Sequence, residues 1–229
     1  VYILQELEKK ATANLIFSSS CTVYGQAETM PITEDSSVQT AMSPYGNTKQ
    51  IGEEIITDAA KATHINAILL RYFNPIGSHP SAEIGELPLG VPQNLVPFIT
   101  QTGIGLRQEL SVYGDDYPTK DGTCIRDYIH VGDLADSHIA ALKRVENSMV
   151  HEVYNVGSGS GYSVQEMMDQ ISESMNKKLN PIHAPRRAGD IPQLIASISK
   201  IERDLGWKPK RTLKEMIDSA WQSEVGNSQ

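Results

Sequence analysis

The stretch LIFSSSCTVYGQ, residues 15–26, decides how the fold is read. Its apolar run, Leu15 to Phe17, is too short for a helix and stops at three serines. Leu15–Ser18 therefore reads as a buried strand that hands its carboxyl end to a polar loop. Downstream, Ser43-Pro44 offers an N-cap followed by proline at the first helical position, and YGNTKQIGEEIITDAAKA carries a helix to about Thr63. NAILLRYF (66–73) is a second apolar run, suited to a strand buried on both faces. Strand, helix and strand of these lengths imply a βαβ unit in a parallel sheet, which binds ligands beyond the carboxyl ends of its strands. Ser18–Thr22 and Tyr72–Asn74 are expected side by side at that end.

At 229 residues, 39% hydrophobic and 21% charged, the chain suits one large globular domain or two small ones. A formal net charge of -8 disfavours nucleic acid or an anionic membrane as partner, although local arginines remain able to hold phosphate. Cys21 and Cys124 stand far apart with no CxxC, which points to neither a disulfide framework nor a zinc site and suits a reducing cytoplasm. No metal is expected: six histidines lack metal-ligand spacing, and His79 and His130 read as structural. No apolar run approaches the ~20 residues that span a bilayer. VYILQELEKKATANLIF opens inside what reads as a helix, so an N-terminal truncation is expected.

From Asn74 the chain becomes loop-rich, with four prolines and three glycines in NPIGSHPSAEIGELPLGVPQN. A helix over Leu95–Gly103 and a short strand in ELSVYG follow. DYIHVGDLADSHIAALKRV predicts strand then helix, and EVYNVGSG a further strand. Ser163–Glu166 forms a capping box for the next helix. The tail holds helices near Ser199–Leu205 and Thr212–Gln222, the second opened by the box Thr212 to Glu215. YNVGSGSGYS imitates a phosphate loop, but Tyr162 stands where dinucleotide spacing wants glycine, so it reads as a tight turn before Ser163.

Tyr45 and Lys49 lie four apart on one predicted helix and share a face. An ammonium beside a phenol favours the phenolate, which makes the tyrosine a candidate general base for a sugar or alcohol hydroxyl. Of nine tyrosines only Tyr45 has a lysine at that offset.

Ser20 and Thr22, Tyr45-xxx-Lys49, LLRYFNPIG, GVPQNLVP, DGTCIRDYIHVGDLA, YNVGSGSGYSV and APRRAGD together resemble the extended short-chain dehydrogenase/reductases. Among these they are most similar to the UDP-glucose/UDP-galactose 4-epimerases, over essentially the whole chain. The family's N-terminal strand–GxxGxxG–helix is absent. The resemblance implies an α/β fold: the C-terminal portion of a Rossmann-type doubly wound parallel sheet lacking its first βαβ units, plus a smaller mixed α/β substrate-binding domain. Residues 1–74, with parts of 110–160 returning, would belong to the NAD-binding domain and 75–229 mainly to the UDP-sugar-binding one. It implies NAD-dependent C4 epimerisation through a transient 4-keto intermediate, with NAD as cofactor, a UDP-sugar as substrate and a homodimer as the full-length form. By the same resemblance Tyr45 is the acid/base on O4, Lys49 holds the nicotinamide ribose, Ser20 hydrogen-bonds O4 with Thr22 close by, and Phe73 sits against the cofactor. Asn74, Asn94 and Leu95 face the UDP-sugar, and Ser111, Val112 and Tyr113 lie along the uracil. Arg126 and Arg187 clamp the diphosphate, a task for a guanidinium fork, and Asp190 lies near the ribose. Ser18 and Ser19 are expected to finish the strand on the cofactor side.

Dehydratases of this superfamily place an Asp-Glu pair where Cys21-Thr22 stands, and neither residue here serves as the extra acid and base that elimination needs. A glucuronate-processing relative would carry added basic groups, and PSAEIGELPLG offers none. An inactive nucleotide-sugar-binding fragment is the reading from another class, because the glycine-rich NAD loop is missing. Five positions after Gly189, Leu194 falls where the family meets the sugar 2-substituent, and leucine is intermediate between a small residue that admits N-acetyl and a tyrosine that obstructs it. The complete protein is expected to convert UDP-galactose faster than UDP-N-acetylglucosamine. Equal rates in a side-by-side assay would contradict this.

Overall fold

The computed structural model describes residues 1–147, 150–187 and 189–227. It divides into two compact units. The first holds Val1–Phe73, Leu134–Gly159 and Ala196–Lys208, and the second Asn74–Asp133, Ser160–Ile195 and Pro209–Gln229. Ala196–Lys208 lies in the first unit, within the stretch 75–229 that the family resemblance implied to be mainly UDP-sugar-binding.

The elements run α1 (Tyr2–Glu8), β1 (Ala13–Ser20), α2 (Pro44–Ala62), β2 (Ile65–Tyr72), β3 (Asn74–Ile76), α3 (Leu95–Gly103), β4 (Ser111–Tyr113) and β5 (Ile125–His130). After these come α4 (Val131–Asn147), β6 (His151–Val156), β7 (Gly161–Ser163), α5 (Val164–Met175), β8 (Ile182–Ala184), β9 (Gln193–Leu194), α6 (Ser199–Leu205) and α7 (Leu213–Asn227). A single 3₁₀ turn, Cys21–Tyr24, continues directly from β1.

In the first unit β2 lies between β1 and β6, all parallel. The register puts Ser20, Tyr72 and Val156 in one row, so all three strands end together. β2 is buried from Ile65 to Arg71, as a strand covered on both faces must be. Its apolar side chains Ala67 and Leu69 pack with Ile56 of α2, and Leu4, Leu15, Phe17, Ala60 and Val153 close the cluster. α2 starts as expected, with the Ser43 hydroxyl accepting from Gly46 N–H at 3.1 Å and Pro44 at the first position.

In the second unit β5 pairs with β3 and β9 in parallel and with β7 in antiparallel sense. A separate parallel pair joins β4 to β8. The core gathers Ile76, Val96, Ile99, Leu110, Val112, Tyr128, Met167, Met168, Ile171, Met216 and Ile217 from α3, α5, α7 and the strands. The glycine run after β6 is a turn into β7, as read from Tyr162. Gly161 serves packing there, because a Cβ would stand 2.6 Å from side-chain atoms of both Ile125 and Ile195. Both capping boxes form: Ser163 with Glu166, and Thr212 with Glu215.

Asp121 sews β7 to the loop before β5. Its Oδ1 accepts from the Thr123 N–H at 2.9 Å and the Thr123 hydroxyl at 2.8 Å, and its Oδ2 accepts from Ser163. Burial works against the charge, but the bonds from Ser163 and Thr123 outweigh it and hold the carboxyl below its usual range. A depressed folded-state pKa means stability that is present above the unfolded value and lost as pH falls through the folded one. Asp121→Asn is therefore expected to flatten the acid limb of the stability curve below about pH 4. Thermal melts across the acid range measure this.

Candidate functional site

The first unit's candidates lie where β1 hands over to the 3₁₀ turn and where α2 begins. Ser20 is 7% exposed, and its oxygen accepts from the Thr22 N–H at 3.3 Å and the Thr22 hydroxyl at 3.0 Å. In both bonds Ser20 is the acceptor, so its own proton is used in neither. Tyr45, in the first turn of α2, is 56% exposed. Lys49 donates from Nζ to the Ser18 carbonyl at 2.7 Å, with Nζ 5.5 Å from the Tyr45 ring centroid and 5.2 Å from that of Phe17. The expected tyrosine–lysine pair is thus formed, and the strand end holds the lysine beside the ring. Phe73, expected against the cofactor, is buried in the protein, and its N–H donates to the Val156 carbonyl at 3.0 Å.

One expectation is corrected. Ser18 and Ser19 do not share a face, because successive strand residues point to opposite sides. Ser19 is 1% exposed and donates its hydroxyl to Glu53 Oε1 at 2.5 Å. Ser18 meets Tyr72 instead: the Tyr72 oxygen lies 2.8 Å from Ser18 Oγ and 2.5 Å from His138 Nε2. His138 Nδ1 stands 2.9 Å from the Leu134 carbonyl, which requires a proton there. The Tyr72 hydroxyl donates to Ser18 Oγ, and its oxygen also meets the His138 ring nitrogen. Burial pushes the Tyr72 phenol up, with the Ser18 bond opposing and Tyr45 adding to the shift.

A second group lies behind the site and was not picked out from sequence. Arg71 donates through Nε and Nη2 to the two oxygens of Glu53 at 2.9 and 2.6 Å, with both side chains buried. Its guanidinium stacks 4.7 Å from the Tyr24 ring centroid, and Tyr24 donates to Asn155 Oδ1 at 2.7 Å. Asn155 in turn donates to the Ile32 carbonyl at 3.0 Å. Burial, partly offset by Arg71, pushes the Tyr24 phenol up to about 12. The signal was available: an arginine within the apolar run NAILLRYF needs a buried partner, and Glu53 continues the four-residue step from Tyr45 and Lys49.

The second unit's candidates centre on Asp190. Its carboxylate lies 3.5 Å from Arg126 Nη2 and 3.9 Å from Arg187 Nε. Arg126 is further held by the Ile125 and Ile191 carbonyls, both at 2.9 Å. Arg187 stacks 4.2 Å from the Tyr113 ring centroid. These long, partly exposed ion pairs are worth under about 1 kcal/mol each, so a doubly charged anion would displace little. The neighbouring Arg186 is committed to Asp116 at 2.6 Å and to the Tyr117 ring. Leu194 sits opposite Arg126 in the β5–β9 pair.

In the stretch Ser111–Tyr113 the Val112 side chain belongs to the core. Asn74 belongs to β3 and donates to the Asp127 carbonyl at 2.8 Å. Asn94 precedes α3 without capping it and donates to Glu86 at 2.8 Å, and Leu95 packs against the second unit's core. His130 accepts from Gly132 N–H at 2.9 Å, with Ser219 Oγ 3.1 Å away. Among the described residues no cluster of three or more His, Cys, Asp or Glu could hold a metal, and no helix is long and apolar enough to cross a membrane.

A profile of the family described as GDP-mannose 4,6 dehydratase matches residues 2–220. The chain belongs to the nucleotide-sugar epimerase/dehydratase family. Within it, the UDP-glucose 4-epimerase of Bacillus subtilis (strain 168) is 47% identical over 226 residues, covering 98% of this chain and 66% of that protein. UDP-glucose 4-epimerase 2 of Arabidopsis thaliana is 48% identical over 223 residues, covering 96% of this chain and 63% of that protein. The chain thus spans under two thirds of the length of both relatives. The fold matches the crystal structure of UDP-glucose-4-epimerase from Stenotrophomonas maltophila with bound NAD and formylated UDP-arabinopyranose. The TM-score is 0.95 at 41% identity, over 99% of this chain and 67% of that one. The Bifidobacterium longum enzyme in complex with NAD+ and UDP gives 0.92 at 40% identity, over 99% of this chain and 68% of that one. The sheet of the first unit is accordingly part of the Rossmann-like fold of this family.

Tyr24→Phe removes a buried donor and leaves Asn155 Oδ1 unpaired. It is expected to cost about 1–3 kcal/mol in denaturant unfolding.

Proposed function

We propose that this chain carries the proton-transfer group and the substrate-holding residues of an NAD-dependent 4-epimerase acting on UDP-galactose and UDP-glucose. The observation that carries the reading is the Tyr45–Lys49 pair, with Lys49 anchored on the Ser18 carbonyl beside the exposed Tyr45 ring. A phenol and an ammonium set side by side beyond a parallel strand suit the hydroxyls of a ribose, so the residues present fit the nicotinamide end of NAD. When bound, NAD supplies a reversible hydride acceptor for the sugar C4.

Tyr45 takes the proton of the sugar O4 and returns it after the sugar has turned, so no proton is gained or lost overall. Ser20, whose own proton is used in neither bond from Thr22, bridges O4 and Tyr45. Lys49 orients the ribose and keeps positive charge next to Tyr45. In the second unit Arg126 and Arg187 suit a diphosphate, which a guanidinium fork holds. Asp190 keeps both guanidinium groups aimed and pairs with the nucleotide ribose. Ser111, Tyr113 and the Val112 backbone flank the base, and Asn74, Asn94 and Leu95 border the sugar-nucleotide.

The family's other reaction, dehydration, needs an acid and a base beyond the tyrosine. Cys21 is buried and the Thr22 hydroxyl is bonded to Ser20, so neither supplies that pair. Exposed apolar side chains on α2 (Ile51, Ile55) and α1 (Tyr2, Ile3) support a homodimer, and two buried cysteines in an acidic chain suit the cytoplasm.

The test is conversion of UDP-galactose to UDP-glucose by the complete protein with NAD. Tyr45→Phe is expected to lower kcat by about 10² to 10⁴, the usual worth of general acid–base catalysis, with UDP affinity unchanged. Turnover by Tyr45→Phe at the parent rate would remove Tyr45 from the mechanism.

A further inference from the structure

Successive turns of α2 grip successive residues of β1. Tyr45, Lys49 and Glu53 follow at four-residue steps and project from one side of the helix. Lys49 reaches the Ser18 carbonyl at 2.7 Å, and Glu53 takes the hydroxyl of the very next residue, Ser19, at 2.5 Å. Gly52 lets the helix approach, since a Cβ would stand 2.8 Å from Phe17 Cζ. Arg71 of β2 completes the contact from the other strand, and Ser19 and Arg71 are register partners. One carboxylate therefore ties α2 to both strands.

A buried ion pair is weak evidence for stability, because an apolar pair of similar volume often serves as well. What it adds is direction: three hydrogen bonds define where the Glu53 carboxylate stands. We propose that Glu53 is a positioning residue for the Tyr45–Lys49 pair. Through Ser19 and Arg71 it sets the axial register of α2 against β1, and with it the placement of the Tyr45 hydroxyl and the Lys49 ammonium relative to Ser20. The kinetic consequence rests on the epimerase reading, and the structural one rests on geometry alone.

Three variants of the complete protein separate position from stability. Glu53→Gln leaves the Arg71 charge uncompensated, Glu53→Gln with Arg71→Met removes both charges, and Glu53→Asp keeps the charge but shortens its reach. The melting temperature is expected to fall in Glu53→Gln and to recover in the double variant. In both, kcat for UDP-galactose is expected to stay down about ten- to a hundredfold, the cost of a misplacement near 1 Å. The pH profile of kcat moves with it, and KM holds. Glu53→Asp is expected to fold and to show the same displaced profile, which keeps the test decisive should the neutral variants not fold. A kcat that climbs back with the melting temperature, or a pH profile unmoved in every folded variant, overturns the proposal. In parallel, the NMR resonance of the Lys49 ammonium is followed in the 229-residue chain. It is expected to shift in the folded variants whether or not the chain turns over. An unmoved resonance overturns the positioning role. A shifted resonance with no turnover by the complete parent protein sinks only the epimerase reading.

Discussion

Arg71 places a permanent positive charge inside a strand buried on both faces, and Glu53 and the Tyr24 ring answer it. A guanidinium cannot shed its proton, so burial must be met by partners rather than by neutralisation. Here burial disfavours the charge and the Glu53 carboxylate more than offsets it, with the Tyr24 ring covering one guanidinium face. Breaking such a pair costs about 3–5 kcal/mol, a large part of the stability of a domain this size. Strand alternation turns Ser19 towards α2, where its hydroxyl meets Glu53, while Ser18 and Ser20 stay on the opposite face.

The second unit uses charge differently. Arg126 and Arg187 share Asp190 over distances of 3.5 and 3.9 Å, at partly exposed positions. Such pairs contribute little to folding and leave both guanidinium groups partly open to solvent. The tight buried pair places a helix, and the loose surface pairs keep two cations oriented. Arg186 shows the contrast within one dipeptide: it is committed to Asp116 and Tyr117, whereas Arg187 rests on the Tyr113 ring.

Much of this was legible in the chain. Leu15 to Phe17 and the run at 66–73 marked two parallel strands because apolar runs of that length fit nothing else between helices. Ser43-Pro44 and the two capping boxes marked helix starts because they satisfy orphan N–H groups locally. The Tyr45–Lys49 pair was visible for the same reason, since four-residue spacing on a helix is a local property. The short strands β3, β7, β8 and β9 were not, because each is two or three residues long and exists only through pairing with a distant partner.

Local spacing and strand–helix alternation thus determined the α/β architecture, the helix caps and the tyrosine–lysine pair. Tertiary structure alone decided which serine faces which way, that Val112 belongs to the core, that Tyr72 links Ser18 to His138, and that Glu53 and Arg71 meet. The physical reason is sequence distance. Helix faces and caps are written within one or two turns of chain, whereas a strand side chain gains its direction and its partner only when strands and helices far apart in the chain come into register.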